Sequence, residues 1–116
     1  MKDREYIVVK TQQSVSKVYI DDIIYIMRNG RKLNLITTSR NYGFYSKIED
    51  LHFLHEQPFY FVRKGLCINL ERTVNMEGSC IEFEDGTCVY TGRDSFIKAR
   101  QRFYRYLLEN QNEKIE

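Results

Sequence analysis

The sequence contains one proline, no tryptophan and no long run of apolar residues. Its longest strictly apolar stretch, residues 23–27, is far too short to cross a bilayer, and the first residues lack the apolar core of a signal peptide. The 116 residues fit one domain, and an apolar content of 42% is typical of a globular chain. The sequence therefore predicts a cytoplasmic domain without a membrane segment.

Cysteine is scarce as well, with three residues at Cys67, Cys80 and Cys88. An odd number without CxxC spacing argues against a secreted disulfide scaffold and against a zinc ribbon. We therefore predict that all three thiols are reduced. Cys67 stands between Leu66 and Ile68, which indicates a buried and unreactive side chain.

Patterns that carry catalysis or bind metal are also missing. The chain has no phosphate-binding glycine loop and no G-x-S-x-G motif. His52 and His55 are spaced to share a helix face, but the sequence names no third residue to complete a metal site. We predict no metal site, no cofactor and no enzymatic activity.

Aromatic residues are abundant, with nine Tyr and seven Phe, and these side chains favour half-buried positions in sheets. Apolar or alternating segments between turn residues predict many short strands. They lie at residues 6–10, 15–20, 23–28, 32–38, 42–45, 59–63, 66–70, 74–76, 80–83 and 88–91. Asn29-Gly30, between two of these segments, predicts a hairpin with a type I′ turn.

Two helices are predicted. The first spans residues 47–55, with Ser46 as its N-cap. The second is amphipathic and spans residues 95–110, with Asp94 or Ser95 as its N-cap, and the residues beyond it are expected to fray. The predicted fold class is thus mainly β, with short antiparallel sheets and hairpins, one short mid-chain helix and a C-terminal amphipathic helix.

The net charge is only +2, but the charges are segregated along the chain. Residues 28–47 hold five basic side chains and no acidic one, and residues 93–105 hold five against a single acid. Acidic residues collect elsewhere, for example at Asp21-Asp22 and Glu49-Asp50. Such a chain can present one basic face to nucleic acid, and the alternative is that these are ordinary solvated surfaces.

An ordered series of segments resembles the LytTR family of bacterial transcription regulators. Residues 20–26 are similar to that family's strand entry, residues 30–37 to its hairpin and following strand, and residues 59–70 to its F-x-R-x-H-r-S-y-i-V-N-l block. Residues 83–86 and 91–93 resemble its closing turn and its S-R pair. The resemblance covers about residues 6–100. It implies a β-rich, LytTR-like DNA-binding domain in residues 1–100, with residues 101–116 as a helical extension of the same domain.

Domains of this family bind promoter DNA through loops that enter successive major grooves, and they commonly follow the receiver domain of a two-component response regulator. The resemblance therefore implies sequence-specific binding of double-stranded DNA at promoter repeats by a transcriptional regulator. It also implies two kinds of protein partner: a second copy on the same DNA, and a receiver domain or histidine-kinase pathway.

The chain departs from the family's pattern in the 59–70 block. Phe61 stands where the family has Arg, Arg63 where it has His, and Gly65 where it has Ser. Arg63 and Lys64 are therefore expected to be the residues that contact DNA in this block. Asn69 matches the family's Asn, and we interpret it as a structural amide that holds a turn.

The predicted DNA-binding residues combine the resemblance with the chemistry of the side chains. Arg and Lys suit guanine and Asn suits adenine in the major groove, which favours the hairpin tip at residues 28–32. Arg93 matches the Arg of the S-R pair and stands near a helix start, and its alternative role is a salt bridge with Asp85. The whole predicted set is Arg28, Asn29, Arg31, Lys32, Arg63, Lys64, Arg93 and Lys98.

Two other functional classes remain open on the sequence alone. The first is a protein-interaction or dimerisation module of a signalling protein, which would use exposed strand edges and the C-terminal helix. The second is a small-ligand or catalytic β-barrel, for which the sequence supplies no convergent set of polar residues.

Overall fold

The structure, a computed structural model, describes residues 4–112. Within this range it has ten strands and one α-helix. The strands are β1 (Tyr6–Lys10), β2 (Val15–Tyr19), β3 (Ile23–Asn29), β4 (Lys32–Thr37), β5 (Asn41–Tyr45), β6 (Phe59–Arg63), β7 (Leu66–Asn69), β8 (Thr73–Glu77), β9 (Cys80–Phe83) and β10 (Cys88–Tyr90), and the helix is α1 (Arg93–Asn110). The predicted mainly β fold is confirmed. The chain divides into two compact units, Met1–Arg72 and Thr73–Glu116.

The first unit consists of the β1–β2 hairpin and a five-stranded antiparallel sheet in the order β5-β4-β3-β7-β6. Ile26 of β3 and Leu35 of β4 have no exposed surface, and they pack in one core with Val9 and Val18 of the hairpin. All four residues of β7 are buried, as the sequence predicted, because this strand lies between β3 and β6. In β4, by contrast, buried and more exposed residues alternate, and this alternation sets which side of the strand faces the core.

The second unit consists of a three-stranded antiparallel sheet in the order β10-β9-β8, followed by α1. Gly78 and Ser79 both have positive φ, as a type I′ turn requires, and they connect β8 to β9. On α1 the buried residues are Ala99, Phe103 and Tyr106, four and three positions apart, which is the predicted helical stripe. This helix is not apolar enough to cross a membrane, and no other described helix is long enough to do so.

The prediction of one regular helix over residues 47–55 was wrong. The segment forms two short 3-10 helices, Ile48–Asp50 and His52–His55, and Ser46 caps neither of them. Leu51 between them has a backbone conformation outside the helical region. A helix this short has little stability of its own, so burial of Ile48 and Leu54 in the core determines the local path of the chain.

Two local predictions about turns and caps are also corrected. The β3–β4 turn is formed by Gly30 and Arg31, and of these only Gly30 has a positive φ, which fits a type II′ turn and not type I′. Helix α1 begins at Arg93, with Gly92 as its N-cap, so neither Asp94 nor Ser95 caps it. The helix ends before Gln111. Fraying was predicted for residues 111–116, and residues 113–116 of that segment lie outside the described residues.

The cysteines differ from the prediction of three reduced thiols. Cys80 and Cys88 form a disulfide between β9 and β10, with their Cα atoms 6.1 Å apart. The pairing depends on strand register, since Cys80 lies opposite Tyr90 and Cys88 opposite Glu82, which makes the cysteines diagonal neighbours on one face. Cys67 is free and fully buried, as predicted. Burial raises the pKa of its thiol to about 12, which keeps it protonated and unreactive.

Candidate nucleic-acid interface

Two turns project from the same end of the five-stranded sheet. Because β3 is antiparallel to both β4 and β7, its last residues lie beside the first residues of those strands. Asn29 is paired with Lys32 across one turn, and Met27 is paired with Leu66 next to the other. We call this end of the sheet the cationic end; it contains six of the predicted residues: Arg28, Asn29, Arg31, Lys32, Arg63 and Lys64.

Gly65 connects the two turns. The backbone N–H of Arg28 donates a hydrogen bond of 2.7 Å to the Gly65 carbonyl oxygen. A Cβ atom built on Gly65 would lie 3.5 Å from Arg28 Cβ and 3.7 Å from Arg63 Nη1. The structure therefore brings Arg28 and Arg63, 35 positions apart in sequence, to the same face of one glycine.

The cationic end is weakly neutralised. Its one salt bridge among the described residues joins Arg28 Nη1 to Glu49 Oε1 at 3.9 Å, with both side chains exposed. Nothing in the sequence indicated this pairing, because the two residues come together only through the folding of the 3-10 segment. An ion pair with such a long N···O distance and such exposed side chains is weak, so most of the positive charge of the cationic end stays available to a ligand.

The acidic residues Asp21 and Asp22 lie at the opposite end of the sheet, since they immediately precede the first residue of β3. Arg4 binds both carboxylates, and Arg72 binds Asp22. The hydrogen bond and positive charge of Arg4 lower the pKa of Asp21, so this carboxylate stays ionised and paired. The predicted segregation of charge is therefore present only in part, since Asp21 and Asp22 lie away from the cationic end but Glu49 lies beside Arg28.

Asn69 supports the first unit from inside. It is 1% exposed, and its Nδ2 donates to the Ile23 carbonyl at 2.7 Å. Its Oδ1 accepts a hydrogen bond from the Glu71 N–H at 2.9 Å. The predicted structural role of this amide is confirmed, because it fastens the start of β3 to the turn after β7.

Arg93 and Lys98 lie in the second unit, on the exposed surface of the first two turns of α1. The start of a helix carries free N–H groups and a partial positive charge, which favour an anion. The alternative salt bridge with Asp85 is not formed, because Asp85 Oδ1 instead accepts hydrogen bonds from the N–H and the hydroxyl of Thr87. Within residues 4–112 Arg93 has no salt bridge.

The two histidines are not gathered into a metal site. Both lie in the His52–His55 turn, and the ring of His55 is 5.5 Å from that of Phe61. Among the described residues no group of three or more His, Cys, Asp or Glu side chains is arranged to hold a metal ion.

The fold, short antiparallel sheets followed by one C-terminal helix, is that of a family of DNA-binding domains. The sequence profile of the LytTr DNA-binding domain matches residues 13–104, and the chain belongs to this LytTR family, as its sequence motifs predicted. The fold is similar to that of the LytTr DNA-binding domain of a methyl-accepting/DNA response regulator from Bacillus cereus, with a TM-score of 0.70 and 11% identity over 86% of this chain and 97% of that one. A search of curated proteins finds no match.

Proposed function

We propose that the chain binds double-stranded DNA sequence-specifically as part of a bacterial transcriptional regulator. The observation that carries this proposal is the cationic end of the sheet, where two donor-rich turns project side by side and the one salt bridge that this end makes among the described residues is the exposed Arg28–Glu49 pair. Family membership supports DNA binding in general, and the arrangement of the turns supports a specific mode of binding.

In this mode the β3–β4 tip, residues 28–32, enters the major groove. A two-stranded ribbon fits that groove, and Arg31 and Asn29 at its end offer the donors that guanine and adenine edges accept. The adjacent β6–β7 turn supplies Arg63 and Lys64 to the phosphate backbone, which fixes the register of the protein without reading sequence. In the second unit Arg93 and Lys98 add contacts at the start of α1.

Membership of the family supports a proposal for its biological setting. We propose that the chain acts in the cytoplasm at promoter repeats, that two copies bind adjacent repeats, and that a receiver domain or histidine-kinase pathway controls it. Residues 1–100 would form the DNA-binding domain, with residues 101–116 as an extension of the same domain.

A second candidate function is a protein-interaction module. It is favoured by the outer face of α1, opposite the buried stripe, where Ile97, Tyr104 and Leu108 are 44%, 58% and 36% exposed. Large apolar side chains grouped in this way can bind another protein.

A binding assay separates the two functions. Gel shifts of the chain with a randomised duplex pool, at low and at physiological salt, should select a preferred site. With roughly 4–6 phosphate contacts, the logarithm of the affinity should fall against that of the salt concentration with a slope of about −4 to −5. A slope near zero, or no binding at low salt, would reject DNA binding in favour of the protein-interaction module.

A further inference from the structure

A groove of about 940 Å³ lies between the β1–β2 turn and β5, the edge strand of the five-stranded sheet. One wall consists of residues 9–14 and Ser16, and the other of residues 40–45. Lys32 also lines the groove, at the end where it is paired with Tyr45. The groove therefore begins at the cationic end and follows β5 along its whole length.

The charges in this groove are all of one sign. Its lining includes Lys10, Lys32 and Arg40 and contains no Asp or Glu. None of the three cations takes part in a salt bridge with a residue in the range 4–112. Cations that share a concave surface without carboxylates produce a positive potential that attracts an anion.

Both walls are fixed by hydrogen bonds of their own. The Thr11 hydroxyl accepts bonds from the N–H groups of Gln13 and Ser14, at 3.3 and 3.2 Å, and orders the turn next to Lys10. The Thr37 hydroxyl donates to the Arg40 carbonyl at 2.6 Å and accepts from the Arg40 N–H at 3.1 Å. The backbone around the cations is thus ordered before any ligand binds, which lowers the entropy lost on binding.

Gly43 gives Lys32 its direction. A Cβ atom on Gly43 would overlap Lys32 Cε and would lie 3.0 Å from its Nζ. Gly43 is paired with Asn34, two positions further along β4 than Lys32. The Lys32 side chain therefore lies back across β5, so that its backbone belongs to the tip but its ammonium group lies in the groove that Lys10 and Arg40 also line.

We propose that this groove binds the phosphate backbone beside the major groove that the tip enters, with Lys10, Lys32 and Arg40 contacting successive phosphates. The inference rests on the proposed function. A ribbon inside a major groove is flanked by a phosphate strand on each side. The sheet order places β5 on one side of the tip and the β6–β7 turn, with Arg63 and Lys64, on the other. Continuity with the cationic end favours phosphate over an acidic peptide as the occupant.

The test measures the affinity of the full chain for the duplex selected from the randomised pool, as a function of salt. The variant Lys10→Gln/Arg40→Gln should bind about tenfold more weakly at physiological salt. Loss of two phosphate contacts should flatten the salt slope by about two units and leave base preference unchanged. Lys17→Gln is the matched control, because Lys17 belongs to the same hairpin but lies over the rings of Tyr6 and Tyr19, outside the groove.

A second variant changes no charge. Gly43→Ala should displace the end of Lys32 and weaken binding about threefold, with no fall in melting temperature, since the Gly43 backbone is not in the left-handed region. Because the net charge stays the same in this variant, weaker binding would come from the changed position of the Lys32 side chain.

Three outcomes would overturn the inference. The single variant Lys10→Gln removes one charge, as Lys17→Gln does, and equal effects of these two variants would show a response to net charge alone. An unchanged slope in Lys10→Gln/Arg40→Gln, while Arg31→Ala still alters base preference, would reject the groove and leave the proposed function intact. An unchanged slope together with binding of a polyglutamate peptide that Arg40→Gln abolishes would assign the groove to an acidic peptide.

Discussion

The backbone N–H of Arg28 is hydrogen-bonded to the carbonyl oxygen of Gly65, at 2.7 Å. This bond extends the pairing of β3 and β7 by one step beyond Met27 and Leu66. It joins the β6–β7 turn directly to the end of β3, next to the β3–β4 tip. The two turns therefore present their donors side by side, and the roles proposed for them differ because the tip carries Asn29 and Arg31 whereas the β6–β7 turn carries Arg63 and Lys64.

We expect Arg31 to read bases and Lys64 to position the protein. Arg31→Ala should relax the preference at one or two base positions, because a lost bidentate contact removes roughly 1–3 kcal/mol of discrimination. Lys64→Ala should weaken binding to all DNA sequences alike and flatten the salt slope by about one unit. Selection from a randomised pool with each variant measures both effects, and equal weakening of every sequence by both variants would contradict the division of roles.

Glu49 is expected to weaken DNA binding through its contact with Arg28. Glu49→Gln removes the nearby negative charge and should raise affinity about twofold to fivefold. The melting temperature should hardly change, because an exposed pair 3.9 Å long contributes at most about 1 kcal/mol. Glu56→Gln removes the same charge from an exposed residue without a salt bridge among the described residues. An equal gain in both variants would show a general charge effect.

Arg93 is expected to contact DNA without stabilising the fold. Since it has no salt bridge within the described residues, Arg93→Ala should keep a near-unchanged melting temperature. Loss of a base or phosphate contact should reduce affinity about tenfold to a hundredfold, which corresponds to roughly 1–3 kcal/mol. Thermal unfolding and gel shifts of the same preparation test this, and unchanged affinity for the selected site would remove Arg93 from the interface.

Asn69 is expected to stabilise the fold without contacting DNA, which is the reverse of Arg93. Asn69→Ala leaves the Ile23 carbonyl and the Glu71 N–H without their amide partner inside the protein, and should lower the free energy of unfolding by about 2–4 kcal/mol. Asn75→Ala is the matched control, because Asn75 is exposed and its substitution should change stability by less than about 0.5 kcal/mol. Urea unfolding measures both variants. A small effect at Asn69 would show that water replaces the amide.

The Cys80–Cys88 disulfide should stabilise the oxidised protein. It joins residues eight positions apart, and the chain-entropy relation gives about 2–3 kcal/mol for a loop of that length. Reductant should therefore lower the melting temperature by several degrees, whereas Cys80→Ser/Cys88→Ser should already melt at the lower temperature and ignore reductant. After reduction, alkylation of the folded protein should label two cysteines and spare Cys67, whose buried thiol has its pKa raised to about 12. Labelling of all three would contradict that burial.

The sequence by itself determined where the strands lie, because β-branched and aromatic alternation, and the glycines of tight turns, act over a few residues. It also determined the amphipathic stripe of Ala99, Phe103 and Tyr106, since helical spacing is a local property. The sequence also pointed to the cations of the tip and of the β6–β7 turn, because Arg and Lys suit DNA and because these segments resemble the LytTR family.

Only the tertiary structure decided which of these segments are neighbours. The strand order brings Arg28 beside Gly65, the fold of the 3-10 segment brings Glu49 to Arg28, and strand register brings Cys80 to Cys88. The same holds for Lys32, whose path across Gly43 depends on the pairing of β4 with β5. The physical reason is that burial of the core selects the pairing of distant strands, and periodicity within one segment carries no information about its partner.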